Sequence, residues 1–399
     1  MADPIVGLEI GTTKVIALVG EMRNDGAIII TGMGERPATG VRKGEIIDLE
    51  NATLCVKSVL AAAEERSNVA IREVLLAVSG GHVQGVIHRG SVPVFGRDGQ
   101  IGASDIEEVL EVARAVNLPA EREVLHTISQ YFHIDDDQRV INPEGMTGGQ
   151  LAVDMLVIHG IRNRLNNLVR AVRSVPLEVQ DVAFSGLCSA LAVLTAEQKR
   201  NGVVVIDLGG GKTDYVVYAE GVVASAGVIA VGGDHVTNDI SVGFNISSAQ
   251  AEGLKRDSGS VDPKAPVDGP DVVVPAEGTT PARTVTVRAV NTIMQARLEE
   301  LLTKIRQRIA KDELLHHMGA GVVLTGGGAH TRGITTLVEG IFGLPCMVGI
   351  PRNVGGLAAA TSGPEYATAS GLVQYGFKAA REQDSRRPLK DFLKGWFGR

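Results

Sequence analysis

The chain has 399 residues, more than one hydrophobic core usually organises, so two or more domains are expected. Hydrophobic residues make up 44% and charged residues 21%, which excludes an intrinsically disordered chain, and a net charge of -7 argues against a general nucleic-acid binder, so no nucleic-acid partner is expected. Cys55, Cys188 and Cys346 are too widely spaced for a disulfide framework or a C-x-x-C zinc site, and no stretch reaches the roughly 20 apolar residues of a membrane span.

From the N-terminus, "MADPIVGLEIG" lacks the basic segment of a secretory signal, so a cytosolic body is expected. Period-two and period-3.6 patterns then predict strands at 5–10, 14–20 and 27–32, a helix near 49–66 and a strand at 74–79. Gly80 and Gly81 end this unit. Residues 82–165 read as a separate insert, with a helix opened by "SDIE", where Ser104 and Glu107 suggest a capping box, and strands in "EVLHTISQYFHI" and "GGQLAVDMLVIHG". The α/β rhythm resumes after "LEVQDVAF", with a helix near 185–196 and strands from 203 to 230. The polar, Pro- and Gly-rich stretch at 256–283 reads as a loop, and a long helix is expected at 290–316.

One self-similarity stands out. "EIGTTK" at 9–14 and "DLGGGK" at 207–212 share the order acid, aliphatic, Gly, two small residues, Lys, each between apolar strands. Both read as tight hairpins. Turns of Gly and Thr leave backbone N–H groups free to meet phosphate oxygens, which nominates Gly11, Thr12, Thr13, Gly209, Gly210, Gly211, Lys212 and Thr213, with Lys14 as a point charge for a terminal phosphate. Glu9 and Asp207, at strand ends, are placed to orient the waters of a Mg²⁺ ion. A P-loop is excluded because Ile206 stands where its first Gly would be. Taken singly each hairpin is also compatible with an ordinary β-turn; their pairing favours a triphosphate gripped from both sides.

Two strand–glycine–helix junctions add to this set. Gly326, Gly327 and Gly328 in "GVVLTGGGAHTRG", ahead of a helix near His330, let the backbone lie against a base and ribose. Gly232, Gly233 and Asp234 open a helix, and helix N-termini favour phosphate. Glu252 and Lys255, three apart on one helix face, suit ribose hydroxyls or else form a solvated ion pair.

Together these motifs resemble the actin-like ATPase superfamily, and within it the branch of bacterial cell-division proteins that tether the FtsZ ring to the membrane. The resemblance implies an α/β, two-lobed fold of duplicated ribonuclease-H-like domains with ATP and Mg²⁺ between the lobes. It implies subdomain 1A at 1–81 and 166–200, an inserted 1C at 82–165, 2A at 201–235 and 318–380, 2B at 236–317, a linker at 381–388 and a terminal helix at 389–399. It also implies polymerisation, other division proteins recruited through 1C, and an acidic FtsZ C-terminal peptide received by 2B, for which Arg288, Arg297 and Lys304 on the long helix are candidates. A pilus-assembly adaptor of the PilM type and a small-molecule kinase are the alternatives. The chain departs from the usual pattern at Glu9, where Asp is customary. The helix "SGLCSALAVLT" carries no Gln or Glu to orient an attacking water, so tight ATP binding with slow turnover is expected.

The tail supplies the membrane argument. Leu389, Phe392, Leu393, Trp396 and Phe397 fall on one helical stripe, Lys390 and Lys394 face elsewhere, and residues 386–399 carry +4 on an acidic protein. An aromatic, basic amphipathic helix behind a polar linker is expected to lie among anionic lipid headgroups at the cytoplasmic side of the membrane, at the division site.

Overall fold

The computed structural model describes residues 3–136, 138–262, 271–278, 281–358 and 362–384. Its first sheet begins with strands β1 (Ile5–Ile10), β2 (Lys14–Met22) and β3 (Ile28–Pro37), which form an antiparallel meander. After the short strands β4 (Val41–Arg42) and β5 (Glu45–Ile46) comes helix α1 (Leu49–Ser67), started by the Asp48 carboxylate accepting from Asn51 N and stopped by Asn68 in the left-handed conformation. Strand β6 (Glu73–Val78) then lies parallel to β1.

The insert follows. It comprises β7 (Gln84–Pro93), α2 (Ala103–Arg114), β8 (Arg122–Ile134), β9 (Gln138–Val140) and β10 (Gln150–Ile161), with α2 covering one face of the sheet around Val109, Leu110 and Ala113. The expected capping box shifts by two residues: Gly102 is the cap, its N–H donates to the Asp105 carboxylate at 2.8 Å, and Ser104 lies inside the helix. Helix α3 (Arg162–Arg173) and β11 (Glu178–Phe184), parallel to β6, complete the first lobe.

The second lobe repeats this plan. Helix α4 (Ser185–Val193) and the short α5 (Ala196–Asn201) lead into the meander β12 (Val203–Leu208), β13 (Thr213–Ala219) and β14 (Val222–Ile229). Helices α6 (Gly233–Phe244) and α7 (Ser248–Asp257) follow. The stretch read as a loop contains a two-stranded ribbon, β15 (Asp271–Val274) paired with β16 (Arg283–Thr286), because its Val and Thr residues alternate between a buried and an exposed face. The long helix α8 (Val287–Lys311) stops short of residue 316, and a separate turn forms at Leu314–His317. Strands β17 (Val322–Thr325) and β18 (Cys346–Val348), both parallel to β12, flank α9 (Ile334–Phe342), which starts later than expected because Gly327–His330 forms its own short turn. Strand β19 (Val354–Gly356) crosses back to pair with β3, and α10 (Ala367–Asp384) ends the described chain.

The two sheets run β11-β6-β1-β2-β3-β19 and β18-β17-β12-β13-β14, the latter continued by the insert as β7-β10-β8-β9. Strand order and direction match between lobes, so the fold is a duplicated ribonuclease-H-like unit. Helices α4 and α10 pack between the sheets, with Phe184, Leu187, Leu372 and Phe377 in one core shared by both lobes. Both faces of strands such as "VVVIDL" are covered, which is why they are apolar throughout rather than alternating. The insert leaves the chain from the first lobe yet joins the second lobe's sheet through Gln84 opposite Gly227. The expected terminal stripe, Leu389 to Phe397, lies outside the described residues.

Candidate functional site

The β1–β2 and β12–β13 turns are both hairpins with the same geometry. Gly11 N donates to Lys14 O at 3.0 Å, and Gly209 N donates to Lys212 O at 3.0 Å. The duplication places them face to face across the seam between the lobes. A Cβ on Gly210 would stand 2.2 Å from the Thr13 hydroxyl, and one on Gly211 would stand 2.6 Å from that of Thr12. Only residues without a side chain let the two turns approach so closely.

Behind them lies a charged cluster. The Asp207 carboxylate accepts from Ser189 Oγ at 2.5 Å and Thr368 Oγ1 at 3.0 Å, so the two helices between the sheets hold it in place. Asp214, one residue past the second turn, is buried, accepts from Ser79 Oγ at 2.5 Å and pairs with Lys212 Nζ at 2.6 Å. Burial, and then the Asp207 charge, push the Glu9 carboxyl up to about 7. Burial opposes the charge on Lys212, but Asp214 and Asp207 outweigh it and raise its pKa. Glu9 Oε2 is buried with no hydrogen-bond partner among the described residues. A buried carboxylate oxygen left without a donor beside two further carboxylates suits a divalent cation. No group of three His, Cys, Asp or Glu side chains among the described residues is arranged to hold a metal ion directly.

The remaining candidates sort by position. Gly326 adopts φ +80 and a Cβ there would meet Asp207 Oδ1 at 2.3 Å, Gly328 lies against Leu208, and Gly327 has open space before it. Gly232, Gly233 and Asp234 pack on the second hairpin, with Gly233 N donating to Gly209 O at 3.0 Å and Asp234 N to Gly210 O at 2.8 Å. Those two amides therefore brace the hairpin rather than point at a ligand. Burial raises the Asp234 carboxyl. Glu252 and Lys255 form more than a solvated pair: they are 2.5 Å apart and both bond the Thr237 hydroxyl, at 2.5 and 2.8 Å.

Four candidates sit differently from expectation. Thr213 is fully buried and donates to Val231 O at 2.8 Å, so its hydroxyl supports the hairpin. Lys14 Nζ is held 3.2 Å from Glu35 Oε1 and lies over the Tyr366 ring, away from a free point charge. Arg297 is engaged by Asp239 through both Nε and NH2 and by Glu300 through NH1, and Lys304 pairs with Glu300. Asp239, Arg297 and Glu300 border a groove of about 420 Å³ between α6 and α8, lined also by Val242, Gly243 and Ile293, while Arg288 is exposed. Sequence reasoning missed Asp214, Ser79, Ser189 and Thr368. Asp214 directly follows "GGGKT", a signal in plain view; the other three come from distant segments and carry none.

Comparison with known proteins bears on this arrangement. The family model described as cell division protein FtsA matches residues 204–371, and that of the SHS2 domain inserted in FtsA matches residues 80–159. The cell division protein FtsA of Pseudomonas aeruginosa is 34% identical, with 98% of this chain and 97% of that protein covered. That of Escherichia coli K12 is 34% identical over 93% of this chain and 90% of its own length. Among solved structures, the PilM-PilN type IV pilus biogenesis complex superposes with a TM-score of 0.65 at 18% identity, covering 93% of this chain and 98% of that one. MreB5 of Spiroplasma citri bound to ADP gives 0.56 at 15%, covering 97% and 99%. At such identities the structures speak to the fold alone, which is actin-like.

Proposed function

The chain belongs to the FtsA family of cell-division proteins, and from that premise we propose that it is an ATP-binding, polymerising adaptor that anchors the FtsZ ring to the inner face of the cytoplasmic membrane. The observation that carries the nucleotide part is the pair of facing hairpins over a carboxylate cluster whose Glu9 Oε2 has no donor. In this reading the hairpin amides of Thr12, Gly210 and Gly211 receive the phosphates, and Gly11 closes the first turn. Glu9 and Asp207 hold the waters of Mg²⁺, and Gly326 to Gly328 with Glu252 and Lys255 take the adenosine. The MreB5 structures bound to ADP and AMPPNP, which share this fold, support the reading that a nucleotide binds here. Helix α4, SGLCSALAV, carries no Gln or Glu to orient an attacking water, so turnover is expected below about 1 s⁻¹.

The same reading divides the chain into 1A (1–81, 166–200), 1C (82–165), 2A (201–235, 318–380) and 2B (236–317). The α6–α8 groove, lined by Val242, Gly243, Ile293 and Arg297, receives the acidic FtsZ C-terminal peptide, with Arg288 and Lys304 further along the same helix α8. The insert recruits other division proteins. The terminal stripe binds anionic lipid reversibly: basic residues contribute about 1 kcal/mol each and the part-buried apolar side chains about 1–2 each. Ordering a short helix consumes much of that. Filament formation makes attachment durable through effective concentration.

Titration calorimetry with Mg-ATP tests the nucleotide reading: the full chain is expected to bind, and Asp207→Asn to lose the magnesium dependence. No heat from the full chain would end this reading. Co-sedimentation with anionic vesicles tests the anchor by comparing the full chain with one ending at Gln383; equal pelleting would remove the membrane role.

A further inference from the structure

The segment "GVRKGEIID" connects β3 to α1, outside the two glycine-rich hairpins. It folds as the tiny β4–β5 hairpin, whose two-residue tip has Lys43 at φ 53 and Gly44 at φ 76. Two positive φ values in succession are the geometry of a primed hairpin turn, for which Asn-Gly is the favoured pair. Lysine is an uncommon choice there, because its Cβ makes the left-handed conformation strained. Such strain concentrates at functional sites.

The tip sits on the seam between the lobes. Gly44 N donates to Thr12 Oγ1 at 2.9 Å on the first hairpin, and a Cβ on Gly44 would lie 3.0 Å from Lys212 Cδ. A Cβ on Gly211, on the second hairpin, would lie 2.9 Å from Lys43 Cα. The tip thus touches both turns at once. The Lys43 charge also reaches the start of α6, where it helps to depress His235 after burial has done most of that work.

Charge pairing singles this residue out. Lys14 is taken by Glu35 and Tyr366, Lys212 by Asp214 and Lys255 by Glu252. Half-buried Lys43 forms no hydrogen bond or ion pair among the described residues. A cation partly withdrawn from water, unpaired, and set beside two glycine-rich turns wants an anion. Resting on the nucleotide reading above, we propose that the β4–β5 hairpin is a third wall of the cleft and that the Lys43 ammonium takes the terminal phosphate of the bound nucleoside triphosphate. The same hairpin reaches the root of the insert. Glu45 pairs with Arg164 at 2.5 Å, and the two strands of that root are tied by Ile161 N donating to His82 Nδ1 at 3.1 Å. Phosphate contact at the tip would therefore order the neck of the insert.

Lys43→Asn suits the left-handed tip while removing the charge, and Lys43→Arg restores it. ATP affinity of the full chain is expected to fall tenfold or more in K43N and to recover in K43R, with ADP affinity unchanged. Hydrogen exchange at residues 80–83 and 160–162 should slow with ATP relative to ADP in the wild type and lose that difference in K43N. Wild-type ATP affinity in K43N, or equal weakening towards ATP and ADP, would overturn the proposal while leaving the nucleotide site standing. A wild-type chain that binds neither nucleotide would overturn both.

Discussion

Two histidines at the base of the insert accept backbone hydrogen bonds, His126 Nε2 from Phe184 N at 2.8 Å and His82 Nδ1 from Ile161 N at 3.1 Å. An accepting nitrogen cannot carry a proton, and burial lowers both pKa values to about 4. The unfolded chain binds protons below about 6.5, where the folded chain does not, so stability is full above that pH and falls between about 6.5 and 4. Each histidine contributes on the order of 3 kcal/mol when the window has been crossed. The unfolding midpoint is expected to drop on acidification through this window, and His126→Asn should flatten the slope; an unchanged slope would show that other groups dominate. Gly326 makes a sharper case. Its φ of +80 already disfavours any side chain, and a Cβ would collide with Asp207 Oδ1. Gly326→Ala is expected to destabilise the fold by about 2 kcal/mol or more and to weaken Mg-ATP binding at least tenfold, measured by denaturant titration and calorimetry.

At the scale of elements, the seam between the insert and β14 decides how the insert sits. Gln130 Nε2 donates to Val223 O at 2.7 Å and Ala224 O at 3.1 Å, and Tyr131 OH bonds Glu220 at 3.1 Å, with Arg139 pairing to the same carboxylate. Gln130→Ala removes both amide bonds at a cost of about 1 kcal/mol each. Faster amide exchange confined to β8 and β14, with nucleotide affinity unchanged, is the expected outcome; exchange identical to wild type would mean the seam is held by packing alone. The terminal stripe, five apolar residues at helical spacing beside basic ones, is the segment proposed to bind lipid. Trp396→Glu is expected to abolish pelleting with anionic vesicles while leaving ATP binding intact.

The whole molecule is built around a core shared by the lobes, with α4 and α10 between the sheets. Neither lobe can unfold without exposing the other's inner face, so calorimetry is expected to show the two lobes melting together. A ligand gripped by both should shift that one transition. At a hundredfold excess over its dissociation constant, Mg-ATP is expected to add about 2.7 kcal/mol of stability. Two separate transitions, with only one moved by nucleotide, would contradict the shared core.

The sequence by itself determined the strands on either side of the paired hairpins and the turns between them, but not the β15–β16 ribbon, because hydrophobic period and turn chemistry act over a few residues and that ribbon lies in a stretch rich in Pro and Gly. It also determined the family, through motifs whose glycines and acids stand in fixed local order. What only the tertiary structure decided is which polar groups are already engaged: Thr213 by Val231, Lys14 by Glu35, and Asp207 by Ser189 and Thr368. It also decided that the insert joins the sheet of the lobe it does not spring from. Hydrogen bonds and ion pairs between residues far apart in the chain leave no periodic trace, since they depend on distances that exist only once both lobes have closed around their common core.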